Sequence, residues 1–409
     1  MSKIKLVLFI VIASICSLHL FAQGTGTSSP YSRYGYGTLA DQSFSAGYAM
    51  GGLGYGLRKP TSINPLNPAS YSGVDSLTFL FDMGVDFQMY NMKEAGNTQS
   101  GNSGNIKNIN MLFSLGKGFA FSGGILPVSY VGYHLGRPYG PGSNAQIEYT
   151  GTGGLHKVYG GLAYEYKNFS IGTNLGYLFG NLEYYTLLLP EGSTVGVSQD
   201  SVVISSHDFS YSVGVQQIVP INKTTQAVFG VVYTPKLKMA AKGREANWIN
   251  GELNYVGTSG SYEMAQSIGA GASLVKDAKW TVGADVLWEN WADTRIKGVT
   301  DSLNNRLKYT VGGEFIPNAR SRNYLNRIQY RLGGYYANSY ITTDKGTQYD
   351  EYGVRLGFGL PVYNRSVLHL AFDYSKIAPS VKTDLAENYF KITLNYTFNE
   401  IWFRKWRLY

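Results

Sequence analysis

The chain of 409 residues has one cysteine, Cys16, and it lies in a stretch that reads as a removable leader. In MSKIKLVLFIVIASICSLHLFAQ, Lys3 and Lys5 precede an apolar core over 6–21, and the small Ala22 stands before a polar stretch. The run is short for a spanning helix and no basic flank follows, so residues 1–22 are expected to be a signal peptide. Ile15, where a small residue is wanted, argues against lipidation at Cys16. Without the leader no internal disulfide can form. Long hydrophobic runs are also missing: beyond the leader none reaches the ~18 residues of a spanning helix.

Dense positive charge is absent too. Removing two lysines leaves 33 basic against 27 acidic residues, a balance of +6 without the Lys/Arg runs that track nucleic acid. Such a balance fits an anionic membrane surface or anionic ligands, but an ordinary solvated surface is the simpler reading. Catalytic and metal patterns are lacking. His134, His156, His207 and His369 are scattered, and neither HExxH nor GxSxG occurs. Adjacent residues of a strand point to opposite faces, which rules out a directly paired His207–Asp208 dyad. GYGTLA at 35–40 fits a dinucleotide fingerprint by letters only, with no strand before it or helix after it. No enzyme, cofactor or metal site is expected.

What the chain does have is glycine, 50 residues, tyrosine, 34, and alternation. In SLTFLFDMGVDFQMY, Leu77, Phe79, Phe81, Met83, Val85, Phe87 and Met89 share one face, and Asp82, Asp86 and Gln88 the other. DFSYSVGVQ, YGVRLGFGL and YFKITLNYTF repeat the pattern. Period 2 means strand. Fourteen such segments are expected, among them 106–116, 119–131, 155–166 and 279–297. Short connections (GKG, KN, KDAK, YN) alternate with long ones such as KEAGNTQSGNSGN, with IPNARSRNYLN a longer exception on the short side.

That asymmetry belongs to outer-membrane barrels, where closure satisfies every backbone polar group between strands. The expected fold is therefore all-β, a transmembrane antiparallel β-barrel of about 14 strands over 76–399. It would sit in the outer membrane with both ends periplasmic, in contact with outer-membrane lipid. Tyrosines and Trp280, Trp288 and Trp291 would form interfacial girdles. The basic, aromatic tail 400–409 would rest on inner headgroups or meet a partner.

Residues 23–75 lack sustained alternation, and SINPLNPAS holds two Asn-Pro steps that force tight, irregular backbone. Such backbone cannot face lipid but can fill a lumen, so this segment is expected to be a plug. AMGGLGYGL (49–57), NPAS (67–70), the hairpin GASLVKDAKWTVGADVLWENW (271–291) and fourteen strands together resemble the FadL family of outer-membrane transporters for long-chain fatty acids and other hydrophobic compounds.

The resemblance covers essentially the whole mature chain. It implies a mobile hatch turn at Asn64, Pro65, Asn67, Pro68 and Ala69, and lateral exit of a hydrophobic small-molecule ligand beside a kinked third strand. Gly123, Gly124 and Pro127 are the candidate kink; the bland alternative is a strand that ends at Pro127. Arg327, Arg331, Arg355, Asp82 and Asp86 are candidate lumen contacts, with Asp208, Asp285, His369, Asp373 and Lys391 on the same faces. Packed mixed charge is ordinarily structural, which keeps a second function open: a permanently plugged barrel serving other outer-membrane proteins as a subunit of an assembly or secretion complex.

Overall fold

The computed structural model describes residues 26–401 except 44, 139–143, 191–197, 250–251, 259–261, 297–302, 344–345, 363–364 and 382. The leader and most of the tail lie outside the described residues.

Antiparallel strands form the wall. They are β1 (Thr78–Glu94), β2 (Asn97–Gly116), β3 (Phe119–Pro138), β4 (Gln146–Tyr166), β5 (Phe169–Leu189) and β6 (Ser198–Pro220). β7 is Thr225–Thr234 continued by Leu237–Ile249, and β8 gathers Glu252–Thr258, Tyr262–Met264 and Gln266–Lys276. There follow β9 (Trp280–Asn290), β10 (Arg306–Phe315), β11 (Gln329–Asn338), β12 (Tyr349–Pro361), β13 (Val367–Pro379) and β14 (Ala386–Ile401). β14 pairs with β1 from Ala386↔Lys93 to Ile401↔Thr78, which closes a fourteen-stranded barrel.

The alternating faces fall as expected. Met83, Phe87 and Met89 are exposed on the outside of β1, whereas Asp82 and Gln88 are buried within. Phe209, Tyr211 and Val354 face out, Gln216 and Arg355 in. At the end with short turns, Trp280 stacks on Phe315 at 4.1 Å and Phe119 meets Tyr164 at 4.4 Å, both pairs on the outer surface as in an interfacial girdle. Trp291 does not join a girdle. It is only 1 % exposed, inside the other end.

Several strands run further than their alternation suggested. β2 starts at Asn97 rather than 106, so most of KEAGNTQSGNSGN is strand, turned through Ala95 and Gly96, both at positive φ. β3 continues to Pro138 and β4 starts at Gln146. β9, by contrast, stops at Asn290, short of 297. An apolar band about 25 Å tall needs only about 9–11 tilted residues per strand. Above it no face must be apolar, so strand there leaves no period-2 hydrophobic signal. β3 to β6 have 20, 21, 21 and 23 residues and project well beyond the band, while β9, β10 and β11 have 11, 10 and 10 and do not.

Residues 26–74 run through the lumen. Toward the long-strand end, Tyr31 and Tyr36 join Trp291, Tyr340, Tyr262, Val131 and Tyr133 in the largest apolar cluster. Toward the turn end, Ile63 and Tyr71 pack with Leu80, Leu112, Leu126 and Tyr159.

Candidate functional site

The Asn-Pro knot is the keystone of the turn-end half of this plug. Asn67 caps the 3₁₀ helix Pro68–Gly73: its Oδ1 accepts from the Ala69 N–H at 3.1 Å, and its Nδ2 donates to the Tyr55 carbonyl at 2.8 Å. Asn64 Nδ2 donates to the carbonyls of Gly54 (2.7 Å) and Leu57 (3.1 Å). Both asparagines thus satisfy carbonyls of the preceding glycine-rich loop, which has no regular structure of its own to do so. The wall grips the knot in turn. Asn174 Nδ2 donates to the Pro65 carbonyl at 3.1 Å, and a Cβ on Gly172 would stand 2.5 Å from the Pro68 carbonyl carbon. Ala69 is fully buried.

Charged residues then fix the plug to many strands. Arg58 spans from the Glu165 carboxylate (2.7 Å) to Ser170, Gln216, Ser72 and the Ala69 carbonyl. Lys59 pairs with Glu314, which also takes Arg331 at 2.8 Å; Arg331 reaches His369 Nδ1 at 2.7 Å. Asp285 accepts the N–H groups of Gly54 and Tyr55 at 2.6 and 2.9 Å. Asp82 is wholly buried and accepts from Ser45, Asn108, Asn395 and Thr397, four neutral donors in place of a cation.

Arg355 binds Asp373 at 2.6 Å and the plug's Asp41 at 2.8 Å, with its guanidinium 4.0 Å from the centroid of Tyr48 and 4.4 Å from that of Tyr335. Lys308 adds a second contact to Asp41 at 3.1 Å. Burial pushes the Asp41 carboxyl up, but Lys308, Arg355 and Lys107 outweigh it and hold the group well below the usual carboxylate range.

Of the sequence-derived lumen candidates, Asp82, Arg331, Arg355, Asp285 and Asp373 therefore bind the plug or its anchors. Asp86 and Lys391 line a cavity, which Asp285 and Arg355 also border. Arg327 stands off the barrel strands, in the 3₁₀ turn Leu325–Arg327, with its guanidinium 5.2 Å from the Tyr324 ring. Asp208 accepts from the Ala240 N–H on the wall itself. Sequence reasoning missed Arg58, Lys59, Asp41, Glu165, Glu314 and Lys107. Parity along β4, where Val158, Leu162 and Tyr164 face out, was signal enough to place Glu165 inside.

The cavity, about 310 Å³, lies between the two halves of the plug. Its lining mixes apolar side chains, such as Leu66, Leu178, Val232 and Leu287, with charged ones of both signs, among them Asp86, Lys107, Glu289, Arg306 and Lys391. The Lys107 ammonium lies 3.0 Å from the Tyr48 ring centroid. Its inward aim has a local cause: the β1–β2 register shifts between Gly84 and Val85, and the bulge turns Lys107 and Asn108 both inward.

A second bulge sits across the wall. β3 does not end at Pro127; its register with β4 shifts between Pro127 and Ser129, and pairing resumes to Pro138. Gly123 and Gly124 lie in the regular ladder below. Pairing of β2 with β3, however, covers only Ile109↔Ile125 to Gly116↔Phe119. Beyond that point β3 pairs on this edge with the plug, Thr38↔Tyr130 and Leu39↔Ser129, and the Ala40 N–H donates to the Val128 carbonyl at 2.9 Å.

Solved structures with this fold include two toluene transporters. The Pseudomonas putida toluene transporter TodX is similar over 89 % of this chain and 100 % of its own, with a TM-score of 0.61 and 15 % identity. The Ralstonia pickettii toluene transporter TbuX matches over 87 % and 98 % (TM-score 0.59, 15 % identity), and a Pseudomonas aeruginosa FadL homologue over 88 % and 99 % (0.56, 13 %). At such identity the likeness is one of fold: an outer-membrane barrel of FadL type. No curated protein matches the sequence. A family model described as BamG matches residues 1–408.

Proposed function

The chain belongs to the BamG family, and from that premise we propose that it is a plugged outer-membrane barrel acting as a subunit of an outer-membrane protein assembly, its short turns on the periplasmic side. The observation that carries this reading is the grip on the plug. Releasing Asp41 and residues 45–73 would break the Arg355–Asp41, Lys59–Glu314 and Arg58–Glu165 pairs and the Asp285 clamp. Stripping one partner from a buried pair costs about 3–5 kcal/mol. Micromolar binding of a small compound supplies about 8 kcal/mol in all, and only its preference for an open state could drive opening. The plug of this chain is accordingly a fixed part of the barrel.

A second reading is a channel for passive uptake of hydrophobic compounds, by binding, hatch movement and lateral diffusion. The cavity, whose lining includes Leu66, Leu178, Val232 and Leu287, and the bulge at Pro127 and Ser129 favour it. The mixed charge of the same lining fits it less well, since a greasy ligand wants an apolar pocket with few polar groups.

Native mass spectrometry of the protein, taken gently from its own membrane, separates the two. The assembly reading expects stoichiometric outer-membrane proteins and an empty lumen. A monomer carrying a small apolar ligand, without partners, would overturn it in favour of uptake.

A further inference from the structure

The outer face of β7 changes character once, and abruptly. Its first piece, Thr225–Thr234, has 10 residues, about what the apolar band takes, and there Phe229, Val231 and Tyr233 are exposed to lipid. Beyond it Met239 and Ala241 face the largest apolar cluster inside the barrel. Lys238, Lys242 and Arg244, all exposed, therefore stand on the outer face. We propose that this basic stripe binds the phosphorylated headgroup of lipopolysaccharide in the outer leaflet. The inference rests on the orientation proposed for the barrel, short turns periplasmic, and not on the choice between assembly and uptake.

The stripe is free to act. Lys236 at its foot is committed, pairing with Glu263 at 2.7 Å and donating to the Asp293 carbonyl. Lys238, Lys242 and Arg244 make no ion pair among the described residues. On this face the acid beside Arg244 in register is Glu183, one strand further off across Val203, and it accepts the Tyr185 hydroxyl at 2.8 Å.

Neutral polar groups flank the cations. Ser205 lies opposite Lys242, Asn181 opposite Ser205, and the exposed His207 opposite Ala240. Such groups exchange hydrogen bonds with sugar hydroxyls, while ammonium and guanidinium groups take phosphate. Below them Tyr177 and Phe209, 5.1 Å apart and both exposed, mark the interface with the acyl chains.

Height identifies the occupant. Six residues separate Lys238 from Arg244, about 20 Å of strand and about 14 Å of height at the usual tilt. Lys238 already stands four residues beyond Thr234. A phospholipid headgroup layer is only about 5–8 Å thick on each side of the bilayer and would leave Arg244 in water. A lipopolysaccharide carries anionic groups outward from its lipid through its sugar core, and so can meet cations at successive heights.

The test titrates the purified full-length protein, in detergent, with lipopolysaccharide that keeps its phosphates, the same lipopolysaccharide stripped of phosphate, and phosphatidylglycerol. The triple variant Lys238→Gln, Lys242→Gln, Arg244→Gln is compared with Lys223→Gln, Lys276→Gln, Lys279→Gln, an equal loss of charge at exposed positions of the turn end. Saturable binding of the phosphorylated form is expected, weakened about a hundredfold by the stripe variant and little by the turn-end variant. Removing phosphate should weaken it comparably. No saturable binding, equal loss in both variants, indifference to phosphate, or phosphatidylglycerol bound as tightly would overturn the inference. Maleimide labelling of intact cells carrying Lys242→Cys or Lys223→Cys keeps orientation and site apart. Labelling at 242 alone, with no lipopolysaccharide bound, sinks the site and leaves the orientation standing; labelling at 223 alone sinks the orientation and the inference with it.

Discussion

The two halves of the plug are held by different physics. Residues 45–73 are riveted to the barrel by charge: Asp82, Asp285, Glu314 and Glu165 of the wall take donors from Ser45, Gly54, Tyr55, Lys59 and Arg58. Residues 31–39 are held by apolar burial, where Tyr36 lies 6.1 Å from Trp291 and Trp291 lies 4.8 Å from Tyr340. The polar ties of that half are neutral rather than ionic: the Tyr340 hydroxyl donates to the Gly37 carbonyl, the Tyr36 hydroxyl to the Glu263 carbonyl at 3.1 Å, the Tyr31 hydroxyl to the Leu385 carbonyl at 2.6 Å, and Thr38 and Leu39 pair with β3. Apolar packing fills space and tolerates small shifts. Paired buried charges fix one register and leave an uncompensated ion if it is lost. The charged half thus specifies where the plug sits, and the aromatic half closes the end.

That contrast can be broken from either side. Arg355→Ala should have the largest effect, because it strips Asp373 of its cation, leaves Asp41 to Lys308, and removes the stack between Tyr48 and Tyr335. About 3–5 kcal/mol of local stability should go, read as protease cleavage within 45–73 while the barrel still migrates as folded. Trp291→Ala should cost about 3–4 kcal/mol, but at the other half: hydrogen exchange should rise in 31–39 and not in 54–59. Asp285→Asn keeps the shape and loses the charge behind the bonds to Gly54 and Tyr55; a loss of about 1–2 kcal/mol should appear as faster exchange at those two amides.

The smallest effect expected is with pH. Asp41 has a depressed folded value, so its stabilisation is complete above the unfolded carboxylate pKa of about 3.9 and declines as pH falls below it. Protection of plug amides at 41–43 and 45–48, taken relative to the intrinsic exchange rate at each pH, should be unchanged from pH 8 to 5 and fall only below about pH 4; a change near pH 6 would assign the grip to another group.

How much of this was legible in the sequence follows from what each signal depends on. Lipid-facing alternation is local, so the strands crossing the membrane and the inward Asp82 and Arg355 could be read directly. The Asn-Pro knot was legible as irregular backbone needing cover, though not that Asn64 and Asn67 would serve the loop before them. Polar strand above the membrane, as in 97–105, has no apolar period to reveal it. The pairings of Arg58 and Lys59 were out of reach, since Glu165 on β4 and Glu314 on β10 are brought to them only by barrel closure. Lys107 faces inward because of a one-residue bulge, which parity counting cannot foresee.

The most direct test of the central claim, that the plug is a fixed part of the barrel, is amide hydrogen exchange across 45–73 in the intact protein in lipid nanodiscs. Protection approaching that of β12 and β13, unchanged by added toluene or fatty acid, is the result this account predicts. Exchange of 45–73 within seconds while those strands stay protected, or exchange set loose by an apolar ligand, would contradict it and make the segment a working hatch.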